Sequence, residues 1–147
     1  MSRPIYAEID LNALKHNLAR IRECAAGRDV WAVVKANAYG HGLENAVKAF
    51  ADADGLATID LCDAERARNA GWTRRILLLE GFFDASDIEP LQRLKVETII
   101  HSPWQIEILR RAKLEDVRCH IKVNSGMNRL GFLPVEVNTV YDQLTAI

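Results

Sequence analysis

The sequence of 147 residues contains no apolar run that approaches the roughly 20 residues needed to span a bilayer. Its first residues, MSRPIYAEID, also lack the apolar core of a secretory signal peptide. The three cysteines (Cys24, Cys62 and Cys119) and the four histidines are scattered, so neither a disulfide framework nor a metal site is expected. The net charge of −1 argues against electrostatic binding to nucleic acid or to an anionic membrane. With 49% hydrophobic and 27% charged residues, these absences predict an ordinary globular domain in the cytoplasm.

Short apolar runs alternate with helical patterns along almost the whole chain. Their C-terminal ends are 20 to 25 residues apart, the spacing that one strand, one helix and two short loops require. Near-continuous apolar strands joined by helices indicate an α/β fold with a parallel sheet, either an open doubly wound sheet or a (β/α)8 barrel of the TIM type. The regular spacing, and the absence of GxGxxG after the first run, favour the barrel. The predicted strands are Val30–Val34, Leu56–Ile59, Ile76–Leu79, Thr98–Ile100 and Val117–Val123.

Five strand–helix units are fewer than the eight of a complete barrel, which takes about 250 residues. We therefore expect the sequence to be part of a larger protein, or to pair with another chain, because a five-stranded piece leaves two strand edges open. The segment Ile5–Ile9 alternates like a strand but precedes the first helix, so it is expected to pair with something outside the barrel. Apolar residues at helical spacing mark Leu11–Ile21, with Asp10 as the N-cap, and also Leu43–Phe50 and Val137–Leu144.

Lys35 stands at the end of the first predicted strand, in the stretch AVVKANAYGHG. Side chains at the C-terminal ends of barrel strands face the active site. One interpretation is a lysine whose stem covers the core while its ammonium reaches water. The next turn, however, is dense in glycine and hydrogen-bonding groups, and the helix that starts at Leu43 would offer free N–H groups to an anion such as phosphate. A buried lysine amine forms Schiff bases with aldehydes, so these residues indicate either pyridoxal 5′-phosphate or a sugar phosphate.

A second polar stretch, IKVNSGMNRLGF, follows the fifth predicted strand and lies at the same end of the barrel. Arg129 either clamps a carboxylate or a phenolate with its fork of donors, or is a surface arginine in a polar loop. Lys122 alternates with Ile121 and Val123, so its side chain is expected on the face opposite to theirs. The weaker candidates, for which packing or helix capping is the simpler interpretation, are Tyr39, His41, Asp60 and Glu80.

These motifs resemble those of alanine racemases. The likeness begins at AEIDLNALKHNL, runs through AVVKANAYGHG and ILLLEGFF, and reaches IKVNSGMNRLGF, so it covers essentially the whole sequence. The lysine motif and the arginine motif in this order are together highly specific, and KVNSGMNRLGF is most similar to the catabolic bacterial enzymes. The resemblance implies that residues 1–147 are the N-terminal portion of a barrel that binds pyridoxal phosphate, and that residues 1–10 form a strand that joins a C-terminal β-domain.

The resemblance also implies a function, the pyridoxal-phosphate-dependent interconversion of L-alanine and D-alanine by a homodimer. Lys35 matches the lysine that holds the cofactor covalently and is the base for one enantiomer, and Tyr39 matches a tyrosine that hydrogen-bonds the cofactor phosphate. Arg129 matches the arginine near the phenolic oxygen of the cofactor and the substrate carboxylate. Lys122 matches a lysine that is carbamylated in several family members, and Asn124 stands where many racemases have aspartate.

In the family, the second base and most of the phosphate cradle come from sequence beyond residue 147. We therefore expect the 147-residue chain alone to be a poor racemase. The alternatives are a barrel that binds pyridoxal phosphate without racemising an amino acid, and a truncated remnant without enzymatic activity. MNRLGF and the leading AEIDL segment favour the racemase.

Overall fold

The computed structural model describes residues 4–112 and 117–147, and its centre is a parallel sheet. The strands lie in the order β1-β2-β3-β4-β5, so each pairs with its neighbour in sequence. A doubly wound sheet reverses its direction at an inner strand, whereas a barrel keeps adding strands on one side. The order therefore confirms the α/β barrel-type fold, here with five strands. They are β1 (Trp31–Val33), β2 (Gly55–Thr58), β3 (Arg75–Leu78), β4 (Glu97–Ile100) and β5 (Cys119–Ile121).

Helices connect successive strands and cover one face of the sheet, as right-handed crossovers that all run in one direction require. The first helix begins at the predicted N-cap, because Asp10 accepts hydrogen bonds from the N–H groups of Asn12 (2.8 Å) and Ala13 (3.2 Å). Within the described ranges, no helix is both long and apolar enough to cross a membrane. The helical segments are α1 (Leu11–Ala25), α2 (Lys35–Tyr39), α3 (Leu43–Ala49), α4 (Leu61–Asn69), α5 (Ile88–Arg93), α6 (Pro103–Arg111) and α7 (Val137–Thr145).

The hydrophobic core lies between the sheet and these helices. Alternate strand residues point into it, and several of them are at most 2% exposed. Burial of an aliphatic side chain of this size stabilises the fold by about 1.5–3 kcal/mol. The strand residues that contribute most are Val34, Leu56, Ile76, Leu78 and Ile100.

The opposite face of the sheet carries charged and aromatic groups near the N-terminal ends of the strands. Trp31 covers Gly55 so closely that a Cβ built on the glycine would lie 2.3 Å from the indole ring. The guanidinium of Arg75 stacks on the same ring, 4.5 Å from its centroid. Arg75 also donates to Glu97 at 2.6 and 2.9 Å, and His120 Nε2 lies 2.7 Å from the same carboxylate. We call these five residues the floor cluster.

Glu97 is the centre of the floor cluster, and its side chain is only 10% exposed. Burial raises the pKa of Glu97, but hydrogen bonds from Arg75 and His120, together with the nearby positive charges, outweigh burial and leave the pKa below its usual value. A buried carboxylate with its partners in place is tolerated, whereas the loss of one partner would leave an uncompensated charge. The floor cluster therefore depends on all of its members.

The observed strands agree with the predicted ones to within one residue at each end for β1 to β4. β5 is shorter than the predicted Val117–Val123, because Val123 pairs with Phe132 instead of continuing the sheet. The predicted amphipathic helices at α1, α3 and α7 are present.

The segment Ile5–Ile9 forms no strand within the described part of the chain. Ile5 is 79% exposed and Tyr6 is 86% exposed, so neither residue packs into the described core. Residues 1–3 of the predicted strand 1–10 lie outside the described residues. Pairing of this segment with a further domain stays a prediction.

Candidate active site

The segment that follows β1 forms one turn of left-handed helix. Ala36, Asn37 and Ala38 have φ/ψ values of 52/52°, 54/47° and 54/48°, and Tyr39 has a φ of 54°. Glycine adopts this region freely, and Gly40 (φ 86°) ends the turn. Other L-residues avoid it, because their Cβ comes too close to the following carbonyl oxygen. The sequence predicts a polar turn here but not its handedness.

Strain in the α2 turn is of the same order as the net stability of a typical domain, which is about 5–15 kcal/mol. Each non-glycine residue in this region costs roughly 1–2 kcal/mol, so the turn stores on the order of 4–8 kcal/mol. Such strain persists only where the surroundings enforce it, and it concentrates at functional sites. Lys35 is the first residue of this turn. The left-handed residues therefore begin directly after Lys35, at Ala36.

Backbone hydrogen bonds enforce part of this conformation. The N–H of Val34 donates to the carbonyl oxygen of Ala57 at 2.8 Å, which extends the β1–β2 pairing up to Lys35. The N–H of Ala38 returns to the carbonyl oxygen of Val34 at 2.8 Å, and the N–H of Gly42 donates to that of Asn37 at 3.0 Å. The first bond attaches the start of the turn to β2, and the other two bonds close the turn on itself.

Asn37 connects the turn to two neighbouring helices through its side chain. Its Oδ1 accepts hydrogen bonds from the N–H of Leu43 in α3 (3.0 Å) and from Nη2 of Arg66 in α4 (3.1 Å). Arg66 also donates to Glu44 at 2.9 Å and to Asp63 at 3.0 Å. The contact with Glu44 raises the pKa of the Arg66 guanidinium. Arg66 is therefore a permanent cation that joins α4 to the turn.

The sequence predicts free N–H groups for an anion at the start of α3, and the first of these groups is already bonded in the structure. The N–H of Leu43 is already bonded to Asn37 Oδ1. The carboxyl of Glu44 lies beside its own backbone N–H, and this N–H, followed by the hydrogen bond from Arg66, holds the pKa of the carboxyl below its usual value. The side chain of Asn37 thus occupies the first donor that the sequence left open for phosphate.

Lys35 and Tyr39 stand at the two ends of the same turn. Val34 is 1% exposed beneath the helices, so alternation along the strand places Lys35 on the other face, with Trp31 and Val33. Lys35 is half-buried and Tyr39 is 59% exposed. An amine and a phenolic hydroxyl are therefore accessible at the C-terminal end of β1.

Lys122 follows β5 with its backbone fixed on both sides. Its N–H donates to the carbonyl oxygen of Ile100 at 2.8 Å, and its carbonyl oxygen accepts from the N–H of Phe132 at 2.9 Å. A Cβ on Gly131 (φ 110°) would lie 2.8 Å from the Lys122 carbonyl oxygen, so glycine is required for this close return of the chain. Lys122 is half-buried.

The loop that carries Arg129 is organised by Asn124. Its Oδ1 accepts from the N–H groups of Gly126 (3.2 Å) and Asn128 (3.0 Å), and its Nδ2 donates to Asn128 Oδ1 at 3.1 Å. Aspartate at this position would keep the two accepted bonds and lose the donated one. Asn128 has a φ of 58°, which asparagine tolerates. Arg129 itself is exposed.

The structure places the predicted site residues in two pairs, one after β1 and one after β5. Lys35 and Tyr39 share the α2 turn, and Lys122 and Arg129 share the loop after β5. Both pairs lie at the C-terminal end of the sheet, as predicted, but β1 and β5 are its two outer strands.

The simpler interpretation holds for two of the weaker candidates. Asp60 caps α4 by accepting from the N–H of Cys62 at 2.7 Å. His41 Nδ1 lies 2.8 Å from the carbonyl oxygen of Ala38, inside its own turn. Among the described residues, no group of three or more histidine, cysteine, aspartate or glutamate side chains is placed to hold a metal ion.

Sequence reasoning missed Arg66, which lies 29 residues from Asn37 in the chain. No local pattern links the two, since an arginine on the polar side of a helix ordinarily indicates a solvated surface. The Arg66–Asn37 contact follows only from the packing of α4 beside α3.

The fold and the site together define a class of protein. It comprises parallel barrel-type sheets that carry a lysine after the first strand and an arginine loop after the fifth. Comparison with known proteins narrows the class to one family. The family model for the alanine racemase N-terminal domain matches residues 9–147, and the chain belongs to this family.

Curated relatives support this assignment along the whole chain. The alanine racemase of Janthinobacterium sp. (strain Marseille) is 52% identical over 148 residues, which cover 100% of this chain and 41% of the relative. The catabolic alanine racemase of Klebsiella aerogenes is 49% identical and is covered to 42%. The chain thus spans about two fifths of the length of the relatives it matches.

Solved structures agree with the fold. The biosynthetic alanine racemase of Pseudomonas aeruginosa superposes with a TM-score of 0.94 at 40% identity, over 99% of this chain and 41% of that one. The alanine racemase of Acinetobacter baumannii gives 0.88 at 34% identity, over 94% and 40% of the two chains.

Proposed function

We propose that this chain supplies the cofactor lysine of an alanine racemase that uses pyridoxal 5′-phosphate. The observation that carries the proposal is the place of Lys35, half-buried at the end of β1 and first in the strained α2 turn. The names of the relatives support L-alanine and D-alanine as the substrates. A homodimer in the cytoplasm is part of the same proposal.

The residues of the α2 turn fit this cofactor. The amine of Lys35 suits an aldehyde carbon, and the exposed hydroxyl of Tyr39 suits a phosphate oxygen. When bound, the cofactor supplies an electron-withdrawing ring that makes the α-proton of an amino acid removable. Lys35 then serves as the base that takes this proton from one face of the α-carbon. The N–H group of Leu43 has no part in this assignment, because it is already bonded to Asn37 Oδ1.

Arg129 and Lys122 complete the proposal at the other edge of the sheet. Arg129 presents a fork of donors on an exposed loop, which suits a phenolate or the carboxylate of alanine. Carbamylation would convert the cation of Lys122 into an anion that accepts hydrogen bonds from Arg129 and orients it. Mass spectrometry in bicarbonate that showed only a free Lys122 amine would contradict this part.

Exchange of the α-proton of alanine tests the proposal. The chain is incubated in D₂O with pyridoxal phosphate and with either enantiomer, and the loss of the α-proton signal is followed by NMR. We expect faster exchange than with free cofactor for one of the two enantiomers. In Lys35→Ala this exchange should fall by about 10²–10⁴-fold, because a positioned base is removed. Lys48→Ala, on the exposed side of α3, is the matched control and should exchange as the unaltered chain does.

Equal exchange by the unaltered chain and by Lys35→Ala would contradict the proposal. Covalent attachment of the cofactor at Lys35 without any exchange would instead favour a barrel that binds pyridoxal phosphate and does not racemise alanine.

A further inference from the structure

We infer that Arg66 is a positioning residue, which acts through Asn37 to keep the α2 turn left-handed and so fixes the direction in which Lys35 leaves the strand. The inference deepens the proposed function and rests on it for the chemistry of Lys35. The mechanical part, that Arg66 holds the turn, stands on the hydrogen bonds of the structure alone.

The guanidinium of Arg66 is itself held firmly. Its Nη2 donates to Glu44 Oε1 at 2.9 Å and Oε2 at 3.1 Å, its Nε donates to Glu44 at 3.2 Å, and its Nη1 donates to Asp63 at 3.0 Å. Because the five donors of arginine form a rigid planar fork, these bonds also fix the direction of the N–H that reaches Asn37 Oδ1 at 3.1 Å. The side chain is thus an anchor on α4 and not a loose surface group.

Asn37 is the residue on which such an anchor acts most effectively. It lies in the middle of the left-handed turn, and asparagine tolerates that conformation better than its neighbours Ala36, Ala38 and Tyr39 do. Without Arg66, the turn loses its hydrogen bond to α4. The steric preference of its alanine and tyrosine residues for other conformations remains. Relaxation at position 37 would redirect the backbone next to Lys35.

The competing explanation is that Arg66 only forms surface ion pairs. The substitution Ala36→Gly distinguishes this explanation from an anchor that holds the turn. Ala36 is exposed, so Ala36→Gly removes only the Cβ that opposes the left-handed conformation. If Arg66 holds the turn against strain, Ala36→Gly restores the turn in an Arg66→Gln background. If Arg66 only pairs with Glu44 and Asp63, the glycine has no effect on the loss.

The matched control is Arg93→Gln. Arg93 forms ion pairs with Glu65 (2.9 Å) and Glu89 (3.4 Å), and its side chain is 51% exposed against 42% for Arg66. Both substitutions therefore remove one charge and two surface ion pairs. They differ in the bond to Asn37.

Amide hydrogen exchange of the cofactor-free chain measures the turn directly. The reporters are the N–H groups of Ala38, Gly40, His41 and Gly42, all bonded within the turn, with Leu56 in β2 as an internal reference. We expect Arg66→Gln to speed exchange at the reporters about two- to fivefold, the effect of a partly exposed charged contact. The exchange rate of the Leu56 N–H should stay unchanged in Arg66→Gln. The reporters should exchange at the rates of the unaltered chain both in Arg93→Gln and in the double variant Arg66→Gln with Ala36→Gly.

Unchanged reporter exchange in Arg66→Gln, or no recovery on adding Ala36→Gly, would overturn the inference. If Arg66→Gln also speeds exchange at Leu56, the substitution acts on the whole fold. The effect of Arg66→Gln is then measured in an Asn37→Gly background. In that background, which lacks Oδ1, Arg66→Gln should cause no further acceleration at the reporters, and a further acceleration would overturn the inference.

Covalent trapping with pyridoxal phosphate separates this inference from the proposed function. A reporter response to Arg66→Gln without any labelling of Lys35 in the unaltered chain would support the anchor and contradict the proposed function. Labelling of Lys35 that is equal in Arg66→Gln and Arg93→Gln would support the proposed function and overturn the role of Arg66 in positioning Lys35.

Discussion

The floor cluster and the α2 turn lie at the two ends of one strand and are built in opposite ways. At the N-terminal end of β1, Trp31 packs on Gly55, and the charges of Arg75 and Glu97 neutralise one another. At the C-terminal end, Lys35 enters a turn of left-handed residues held by exposed contacts. The N-terminal end of β1 lies beside a partly buried pair of opposite charges, and the C-terminal end leads into a strained backbone turn.

This difference follows the division of labour in barrel folds. Residues at the N-terminal ends of the strands stabilise the fold, whereas the C-terminal ends carry the chemistry. A rigid floor fixes the direction of β1, so that a strained turn can be maintained at its other end without melting the strand. Changes at the floor should therefore alter stability, and changes at the turn should alter the reactivity of Lys35.

Removal of the floor carboxylate should have the largest effect. We expect Glu97→Ala to lower the free energy of unfolding by about 2–4 kcal/mol, because Arg75 and His120 lose their buried partner. Denaturation in urea measures the change. Glu65→Ala, which removes an exposed partner of Arg93, is the control and should cost about 0.2–1 kcal/mol. If the two variants lost equal free energy of unfolding, the contacts of Glu97 would contribute no more than an exposed ion pair does.

Filling the space over Gly55 should break the floor by steric means. A methyl group there would lie 2.3 Å from the Trp31 ring, so Gly55→Ala must displace the indole and with it the stacked Arg75. We expect a loss of about 1–3 kcal/mol in unfolding free energy and a change in the near-ultraviolet circular dichroism. Unchanged stability together with an unchanged aromatic spectrum would contradict this packing.

Acid should weaken the floor selectively. The pKa of Glu97 is lower in the folded chain than its usual value, so the unfolded chain binds more protons near the pKa of a free glutamate. The stabilisation is present above that pKa and is lost as the pH falls. We expect the difference in unfolding free energy between the unaltered chain and Glu97→Gln to shrink as the pH falls from about 6 to about 3. A difference that stayed constant with pH would contradict the assigned charge state.

The turn should respond to glycine with the opposite sign. Ala36→Gly relieves left-handed strain, and this gain exceeds the entropy that glycine loses on folding. We expect a stabilisation of about 0.5–1 kcal/mol. Ala13→Gly, within α1, is the control and should destabilise by a similar amount. Destabilisation by Ala36→Gly would show that the turn carries no strain.

The sequence predicts the fold well because local patterns determine it. Apolar runs define β1 to β4 to within one residue, and Asp10 marks the start of α1 as predicted. β5 ends early because Val123 pairs with Phe132, a contact that depends on the path of the loop between them.

The site is predicted less completely, because its construction depends on contacts between distant residues. Lys35 and Arg129 stand out through their motifs, but alanine and tyrosine carry no signal for a left-handed turn. Arg66 meets Asn37 across 29 residues, and Arg75 meets Glu97 across 22. At the start of α3 the sequence predicts a donor that the structure does not leave free. The N–H of Leu43 is already bonded to the side chain of Asn37.

Covalent trapping tests the central claim, that Lys35 is a nucleophile positioned by a strained turn, most directly. The Lys35 amine condenses with the aldehyde of pyridoxal phosphate and releases water, and borohydride reduces the resulting carbon–nitrogen double bond to a stable secondary amine. Peptide mapping then locates the label. We predict label concentrated on the peptide that contains residues 32–42 and lost in Lys35→Ala. Label spread over exposed lysines such as Lys15 and Lys48, and unchanged by Lys35→Ala, would mean that Lys35 only covers the core with its stem.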